Sequence, residues 1–314
     1  MALLGIDLGG TKLSFAVFDE KGALLDKEII GLKDRSGTDV GNIITSQILK
    51  LRDSDMNPIR SIGISVPGIY RVKTGNVWAP NIPGWDDYPL LKEVKKVSKE
   101  IPVSIDSDRA CYILGETWQG NAQQCKDAIF LAVGTGIGAG ILINGNILRG
   151  ADDIAGAIGW MALARPFKDE YVQCGCFEYY ASGEGIAKIT REILKETRDY
   201  SGEFNDKPIS QITSHDVFIA YENNDPLAKK VIEMGIEFWG MAVANLVSLF
   251  NPEKIILGGG VFGPATKLIP GIKMEASKWA QPISIKKVSV ESSALGGDAG
   301  AYGAGFLALK NSIT

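Results

Sequence analysis

The sequence predicts an α/β chain built from two structurally similar domains. Three observations carry that expectation. At 314 residues the chain has room for about two domains, each large enough to bury its own core. A plan of strand, glycine turn, strand, turn and strand occurs twice, about 125 residues apart. A third glycine cluster closes a helix–strand unit, with an apolar helix over roughly 228–250 that stops at Asn251-Pro252 before a strand ending in Gly258–Gly260.

The first copy is "LLGIDLGGTKLSFAVFDEKGALLDKEI". An apolar strand leads into Gly9-Gly10-Thr11-Lys12, an alternating strand follows, and "DEKG" turns the chain into a third strand. The second copy, "AIFLAVGTGIGAGILINGNILRG", has its glycine turn at Gly134-Thr135-Gly136 and a tight turn at Asn144-Gly145. Asn-Gly between apolar runs is a strong hairpin signal because both residues tolerate positive φ. Without Cβ atoms, a glycine turn lets a ligand approach the backbone, and its N–H groups form an anion-binding nest. Two such turns on facing domains would grip a phosphate chain, with the hydroxyls of Thr11 and Thr135 and the ammonium of Lys12 at hand.

Gly258, Gly260 and Gly263 fit the dinucleotide pattern G-x-G-x-x-G, but no acidic residue follows at the required spacing of about 20 positions. The chain also lacks G-x-x-x-x-G-K-[ST], so the P-loop reading is excluded. Composition narrows the rest: 45% hydrophobic, 22% charged and a net charge of −4 describe an ordinary globular protein without the basic excess of a nucleic-acid binder. "MALLGIDLGG" lacks a cationic n-region and reaches Asp7 early, so no signal peptide is expected. The apolar run "FWGMAVANLVSLF" is shorter than the roughly 18 residues that a membrane span needs. Four scattered cysteines do not form a disulfide framework, and the expected location is cytoplasmic.

The order of these pieces resembles the nucleotide-binding motifs of the hexokinase–actin ATPase superfamily. More narrowly, the chain is similar to the ROK family of repressors and sugar kinases. The matching stretches are "GIDLGGTK", "GISVPG", "APNIPGWDDYPL", "DSDRACYILGE", "AVGTGIGAGI", "GCFE" with "YASG", "NPEKIILGGGVF" and "GDAGAYGAGFLAL". The resemblance implies two ribonuclease-H-like, actin-like ATPase domains flanking a cleft for ATP and sugar, with boundaries at 1–116 plus 298–314 and at 117–297. It implies ATP with Mg2+ on Asp7, Gly9, Gly10, Thr11, Lys12, Thr135, Gly136, Gly138, Gly259 and Gly260. Substrate-side residues would be Pro67, Gly68, Asn81, Ser107, Ala157, Trp160 and Glu178. A homodimer is also implied.

Asp108 is where the chemistry would rest. The family reads Glu-Asn-Asp-Ala where this chain has Asp106-Ser107-Asp108-Arg109. A sugar hydroxyl is a poor nucleophile, so a carboxylate that aims it and accepts its proton supplies what phosphoryl transfer lacks. Local pattern alone would instead read Asp108 as a helix N-cap before "ACYILGE".

The family's structural zinc site pairs a Glu-x-Gly-His segment with three cysteines. Here that segment aligns with Ala157-Ile158-Gly159-Trp160, and only Cys174 and Cys176 remain of the thiols, with Glu178 behind them. Two thiolates without further ligands do not make a stable zinc site, so no zinc is expected. The single histidine, His215, reads as a solvated first-turn residue. Loss of polar groups at Ser107, Ala157 and Trp160 would turn preference away from plain glucose, with Trp160 either a wall for an altered sugar or filler for the vacated loop. A DNA-binding member would carry a winged helix ahead of the first glycine turn, and the early position of that turn points to the kinase branch. The expected activity is a glucokinase-like, ATP-dependent sugar kinase; the alternative is a catalytically weak sugar-binding sensor of the same fold.

Overall fold

A computed structural model describes residues 2–54 and 57–313. The first sheet has the order β3-β2-β1-β4-β7. It comprises β1 (Ala2–Leu8), β2 (Lys12–Phe18), β3 (Leu24–Gly31), β4 (Ile59–Val66) and β7 (Val103–Ser107), with a separate ribbon of β5 (Ile69–Arg71) and β6 (Asn76–Trp78). The hairpin strands β1, β2 and β3 pair antiparallel, whereas β1–β4 and β4–β7 pair parallel. The second sheet repeats the plan in the order β10-β9-β8-β11-β12, built from β8 (Ala128–Val133), β9 (Ile137–Ile143), β10 (Asn146–Ile147), β11 (Lys254–Gly258) and β12 (Ser289–Ser292). Here β8–β11 and β11–β12 are the parallel pairs.

The predicted turns fall between these strands. "DEKG" is held by Asp19, whose Oδ1 accepts from the backbone N of Lys21 and Ala23 at 2.9 and 2.8 Å. Asn144 and Gly145 join β9 to β10 with φ of 49° and 75°, the positive pair that the hairpin required.

Strands β1 and β4 read as nearly unbroken apolar runs because both faces of the first sheet are covered. Leu4, Ile6, Ile62 and Ile64 pack with Val40, Ile44 and Ile48 of the Gly37–Arg52 helix. On the opposite face Leu3 and Phe18 meet Ala301 and Ala308 of the C-terminal Ala299–Ile313 helix. That helix also lies along the Asp108–Gln119 helix, where a methyl added at Gly303 would overlap the Cys111 carbonyl.

The chain divides into two compact units. One holds residues up to Cys125, Gly140–Gly156 and the chain from Ser293 on; the other holds Lys126–Ala139 and Ala157–Ser292. Sequence reading cut after residue 116 and before 298, and the structure corrects both cuts. Trp118 stays with the first unit because it packs on Phe18 and Phe306, and Ser293 because its hydroxyl donates to Glu116. Residues 140–156 belong there too, as Arg149 pairs with Asp106.

In the second unit the apolar helix runs from Pro226 to Phe250. Asp225 caps it by accepting from Leu227 N and Ala228 N, both at 2.9 Å, and Asn251 ends it in the left-handed region. This helix is long and apolar enough to cross a membrane, yet 61% of its most apolar window is buried within the protein, as in a core helix. Trp239 at its centre is fully buried and donates its indole N–H to the Ala181 carbonyl at 3.0 Å.

Candidate active site

Parallel pairing in the first unit gathers the predicted chemistry at the carboxyl ends of three strands, where open α/β sheets bind ligands. The register sets Asp7 beside Ser65, and Ser65 beside Asp106. Ser65 donates its hydroxyl to Asp7 Oδ1 at 2.7 Å. Burial pushes the Asp7 carboxyl above its ordinary value, against the Ser65 hydrogen bond and the charge of Lys12. Gly300 leaves the space into which that carboxylate fits, since a Cβ there would lie 2.5 Å from it.

Between β1 and β2, Gly9 N bonds back to Lys12 O at 2.9 Å, which closes the turn and leaves Gly10, Thr11 and Lys12 exposed. Asn81 is exposed beside it, with its Cβ 3.4 Å from where a Gly10 Cβ would stand. Pro67 and Gly68 link β4 to β5. Gly68 has φ of 99°, and a Cβ there would overlap the Trp78 carbonyl, so glycine is required on both counts.

Asp108 begins the Asp108–Gln119 helix, but it does not cap it. Ser107 is the N-cap and accepts from Ala110 N at 3.3 Å. The capping alternative for Asp108 is therefore corrected: the preceding serine does that work. Asp108 Oδ1 accepts from Arg109 N at 2.7 Å, and Tyr112 donates to Oδ2 at 3.4 Å. Burial pushes the half-buried Asp108 carboxyl up to about 6; the Arg109 charge and its backbone N–H hold it down, and Asp7 adds to the rise. Such a group is ionised at neutral pH and close enough to its titration to take a proton. Two positions earlier, the side chain of Asp106 is 3% exposed and receives both arms of Arg149, at 2.9 and 2.5 Å.

The second unit carries its own set. The parallel pairing of Gly258 with Ala132 puts two glycine turns side by side, at the ends of β8 and β11. Gly134 N bonds to Gly136 O at 2.9 Å and leaves Thr135 exposed; Gly138 lies past the turn, within β9. Gly259 has φ of 91° and packs on Val133, and Gly260 is exposed. Together Gly134, Thr135 and Gly260 line a cavity of about 360 Å³. Its other wall was not assigned from the sequence: Gly183, Glu184 and Arg191 of the Gly183–Glu196 helix, with Ile212, Thr213 and Ser214. Signals for both parts were present. "YASG" supplies the Ser182 N-cap that opens this helix, and Thr213 with Asp216 forms a capping box for the Ser214–Glu222 helix. His215 is exposed in the first turn of the latter.

Glu178 stands elsewhere in this unit. Its Oε2 accepts from Ile137 N at 2.6 Å, and burial raises its carboxyl against that bond. A Cβ at Gly136 or Gly159 would come within 2.7 or 3.0 Å of the carboxylate, so both glycines make room for it. Ala157 and Trp160 flank Ile158 and Gly159; Trp160 is 57% exposed and lines an apolar groove of about 880 Å³ with Phe167, Val172 and Cys176. Cys174 is half-buried and Cys176 buried, and among the described residues no three His, Cys, Asp or Glu side chains converge as metal ligands.

Two mixed sheets of this order, with glycine turns and raised carboxylates at their strand ends, define an actin-like ATPase fold. The ROK family model matches residues 3–311, and the chain belongs to the ROK family. It is 33% identical to a glucokinase of Halalkalibacterium halodurans over 97% of this chain and 94% of that protein. It is 30% identical to a beta-glucoside kinase of Listeria monocytogenes over 83% of both chains. Among solved structures, a ROK family glucokinase from Streptomyces griseus in complex with glucose and AMPPNP superposes with a TM-score of 0.79, at 26% identity over 99% of this chain and 100% of that one.

Proposed function

We propose that this protein is an ATP-dependent sugar kinase in which Asp108 is the general base. The observation that carries the reading is the state of Asp108: half-buried, relieved of capping by Ser107, and held with a carboxyl pushed up to about 6. Kinship over nearly the whole chain to a glucokinase supports the same reaction class. Asp108 would accept the proton of a sugar hydroxyl as its oxygen attacks the γ-phosphorus of ATP, the bond to the β-phosphate oxygen breaks, and ADP leaves.

In the first unit, the exposed N–H groups of Gly10 and Thr11 and the ammonium of Lys12 suit phosphate oxygens, whereas Pro67, Gly68, Asn81 and Ser107 stand on the substrate side. In the second unit, Thr135, Gly136, Gly259 and Gly260 suit the nucleotide, and Ala157, Trp160 and Glu178 the sugar. Asp7 fits Mg2+: its carboxylate is half-buried, Ser65 engages one oxygen, and a nearby cation would relieve the cost of its charge. When bound, Mg2+ neutralises charge on the phosphates. The cysteine pair and Trp160 offer too few ligands for zinc. A cytoplasmic homodimer completes the reading, and sedimentation of the purified protein tests its assembly.

A pure sensor has little use for a poised base at Asp108, which counts against the binding-protein alternative. The test is ADP release from Mg-ATP with glucose, N-acetylglucosamine, cellobiose, fructose and polyols, for wild type and Asp108→Asn. Sugar-dependent turnover that disappears in the variant supports the reading. Thermal stabilisation by a sugar without any turnover overturns it in favour of a binding protein.

A further inference from the structure

We propose that Arg109 is a positioning residue for the transfer reaction, holding the Gly68 turn against the start of the Asp108–Gln119 helix and carrying its positive charge on the residue next to Asp108. The inference rests on the reading of Asp108 as the base. Arg109 follows Asp108 directly, and its side chain turns back across the strand ends so that Nη2 donates to the Gly68 carbonyl at 3.3 Å. Gly68 cannot find its place by side-chain packing, having none, and its positive φ and the Trp78 carbonyl fix the peptide in one orientation. The guanidinium therefore clamps a turn that leads out of β4, two residues beyond Val66, which the sheet register pairs with Ser107. The turn and the carboxylate are thus held by one residue, through its side chain on one and its backbone N–H on the other.

The charge has a second consequence. Besides Arg109, the groups that act on Asp108 are Asp7 from β1, whose charge raises its carboxyl, and Tyr112 from the same helix, which donates to it. Lys12 at the start of β2 and the Lys27–Asp298 pair act on Asp7, and Asp106 at the end of β7 is engaged by Arg149. Among the described groups, Arg109 is the cation that acts most strongly on Asp108, and it opposes the desolvation that would otherwise drive the carboxyl higher. Removing it raises the pH at which Asp108 gains its proton. The base works ionised, so the acid limb of the rate profile moves to higher pH.

The experiment is the pH dependence of kcat/KM from pH 5 to 8 at saturating Mg-ATP. Wild type, Arg109→Gln, Arg109→Lys and Asp108→Asn are compared on whichever of glucose, N-acetylglucosamine or cellobiose wild type turns over fastest. Loss of this unit charge moves the limb by about one pH unit, so at pH 6 Arg109→Gln falls about tenfold below its own plateau where wild type falls about twofold, beyond any uniform loss. Arg109→Lys keeps the charge and the position of the limb, but a single ammonium in place of the fork raises the sugar KM a few-fold. A limb that stays in place in Arg109→Gln, with Asp108→Asn inactive, overturns the role of Arg109 and leaves the base standing. Activity retained in Asp108→Asn, or no turnover of any of the three sugars, overturns the underlying reading and the inference with it.

Discussion

Replacing Glu116 by alanine should loosen the first unit by an amount that its hydrogen bonds allow to be worked out. Glu116 is fully buried in the Asp108–Gln119 helix. Its carboxylate accepts from Ser293 Oγ at 2.5 Å and Asn121 N at 2.7 Å, with longer bonds from Leu295 N at 3.3 Å and Ala294 N at 3.5 Å. The side chain thereby fastens the helix that carries Asp108 to the chain where it returns to the unit. Hydrogen bonds to charged groups contribute about 1.5–3 kcal/mol each. The two short ones, allowing for water that enters the space left by the side chain, make a loss of about 3–5 kcal/mol. For a domain of this class each kcal/mol lowers Tm by about 2–4 °C, so Glu116→Ala should melt roughly 10 °C below wild type. Glu116→Gln keeps one accepting oxygen and should lose only about 1–2 kcal/mol. Thermal unfolding followed by circular dichroism, with urea midpoints as a check, measures both. If the alanine variant melts within about 2 °C of wild type, the carboxylate is not the fastening inferred here.

Other outcomes follow from the same geometry. Turnover should fall as pH drops through about 6, the value to which burial lifts Asp108, and a pH–rate profile with a flat acid side would contradict it. The folded state holds that proton more tightly than the unfolded chain does, so ionisation costs stability as pH rises from the ordinary carboxylate range to about 6. Asp108→Asn should therefore raise Tm at pH 7.5 while abolishing turnover, a pairing seen by calorimetry and the ADP assay together. Gly259→Ala forces a side chain into a φ of 91° and against Val133; it should cost more than about 1 kcal/mol and raise the KM for ATP, read by urea unfolding and steady-state kinetics. EDTA should stop turnover at once and leave the melting temperature of the sugar-free protein in place, since no structural metal is expected.

What the sequence made legible was local. The Gly9–Lys12 and Gly134–Gly136 turns, the Asp19 turn and the Asn144-Gly145 hairpin each follow from residues within a few positions of one another, and backbone preference alone decides them. The Pro226–Phe250 helix was equally readable, because Asp225 and Asn251 cap it from its own ends. Pairings made at long range left no comparable trace. Arg149 meets Asp106 from 43 residues away and Ser293 meets Glu116 from 177, and neither side chain carries a periodic signal naming its partner. The domain boundaries misplaced from the sequence are the ones these pairs decide. Asp108 is the instructive middle case. Its position at a helix start could be read, but whether it or Ser107 serves as cap depends on which oxygen reaches Ala110 N, and that is settled only by the turn of the chain leaving β7.

The 37 glycines, read from the sequence as ligand-binding clusters, divide on inspection into two kinds of work. Gly10, Gly134 and Gly260 face open space or solvent, where a missing Cβ leaves the backbone free to meet a ligand. Those of "GDAGAYGAGFLAL" do something else. Gly300 makes room for the Asp7 carboxylate, Gly303 lies against Cys111, and Gly305 lies against Phe18. On the sheet beneath, a Cβ at Gly5 would come 2.7 Å from the Ala301 carbonyl, and one at Gly63 would overlap that of Ala304. The C-terminal helix is thus drawn onto β1 and β4 at backbone distance, and the strand ends bearing Asp7 and Ser65 are fixed by that contact. Alanine at Gly63 therefore tests packing and site together. It should push the helix away, cost several kcal/mol as overpacking does (about 1–3, and more where backbone must move), and lower kcat beyond what the stability loss explains. A Gly63→Ala protein as stable and active as wild type would show that the close approach is incidental to holding Asp7.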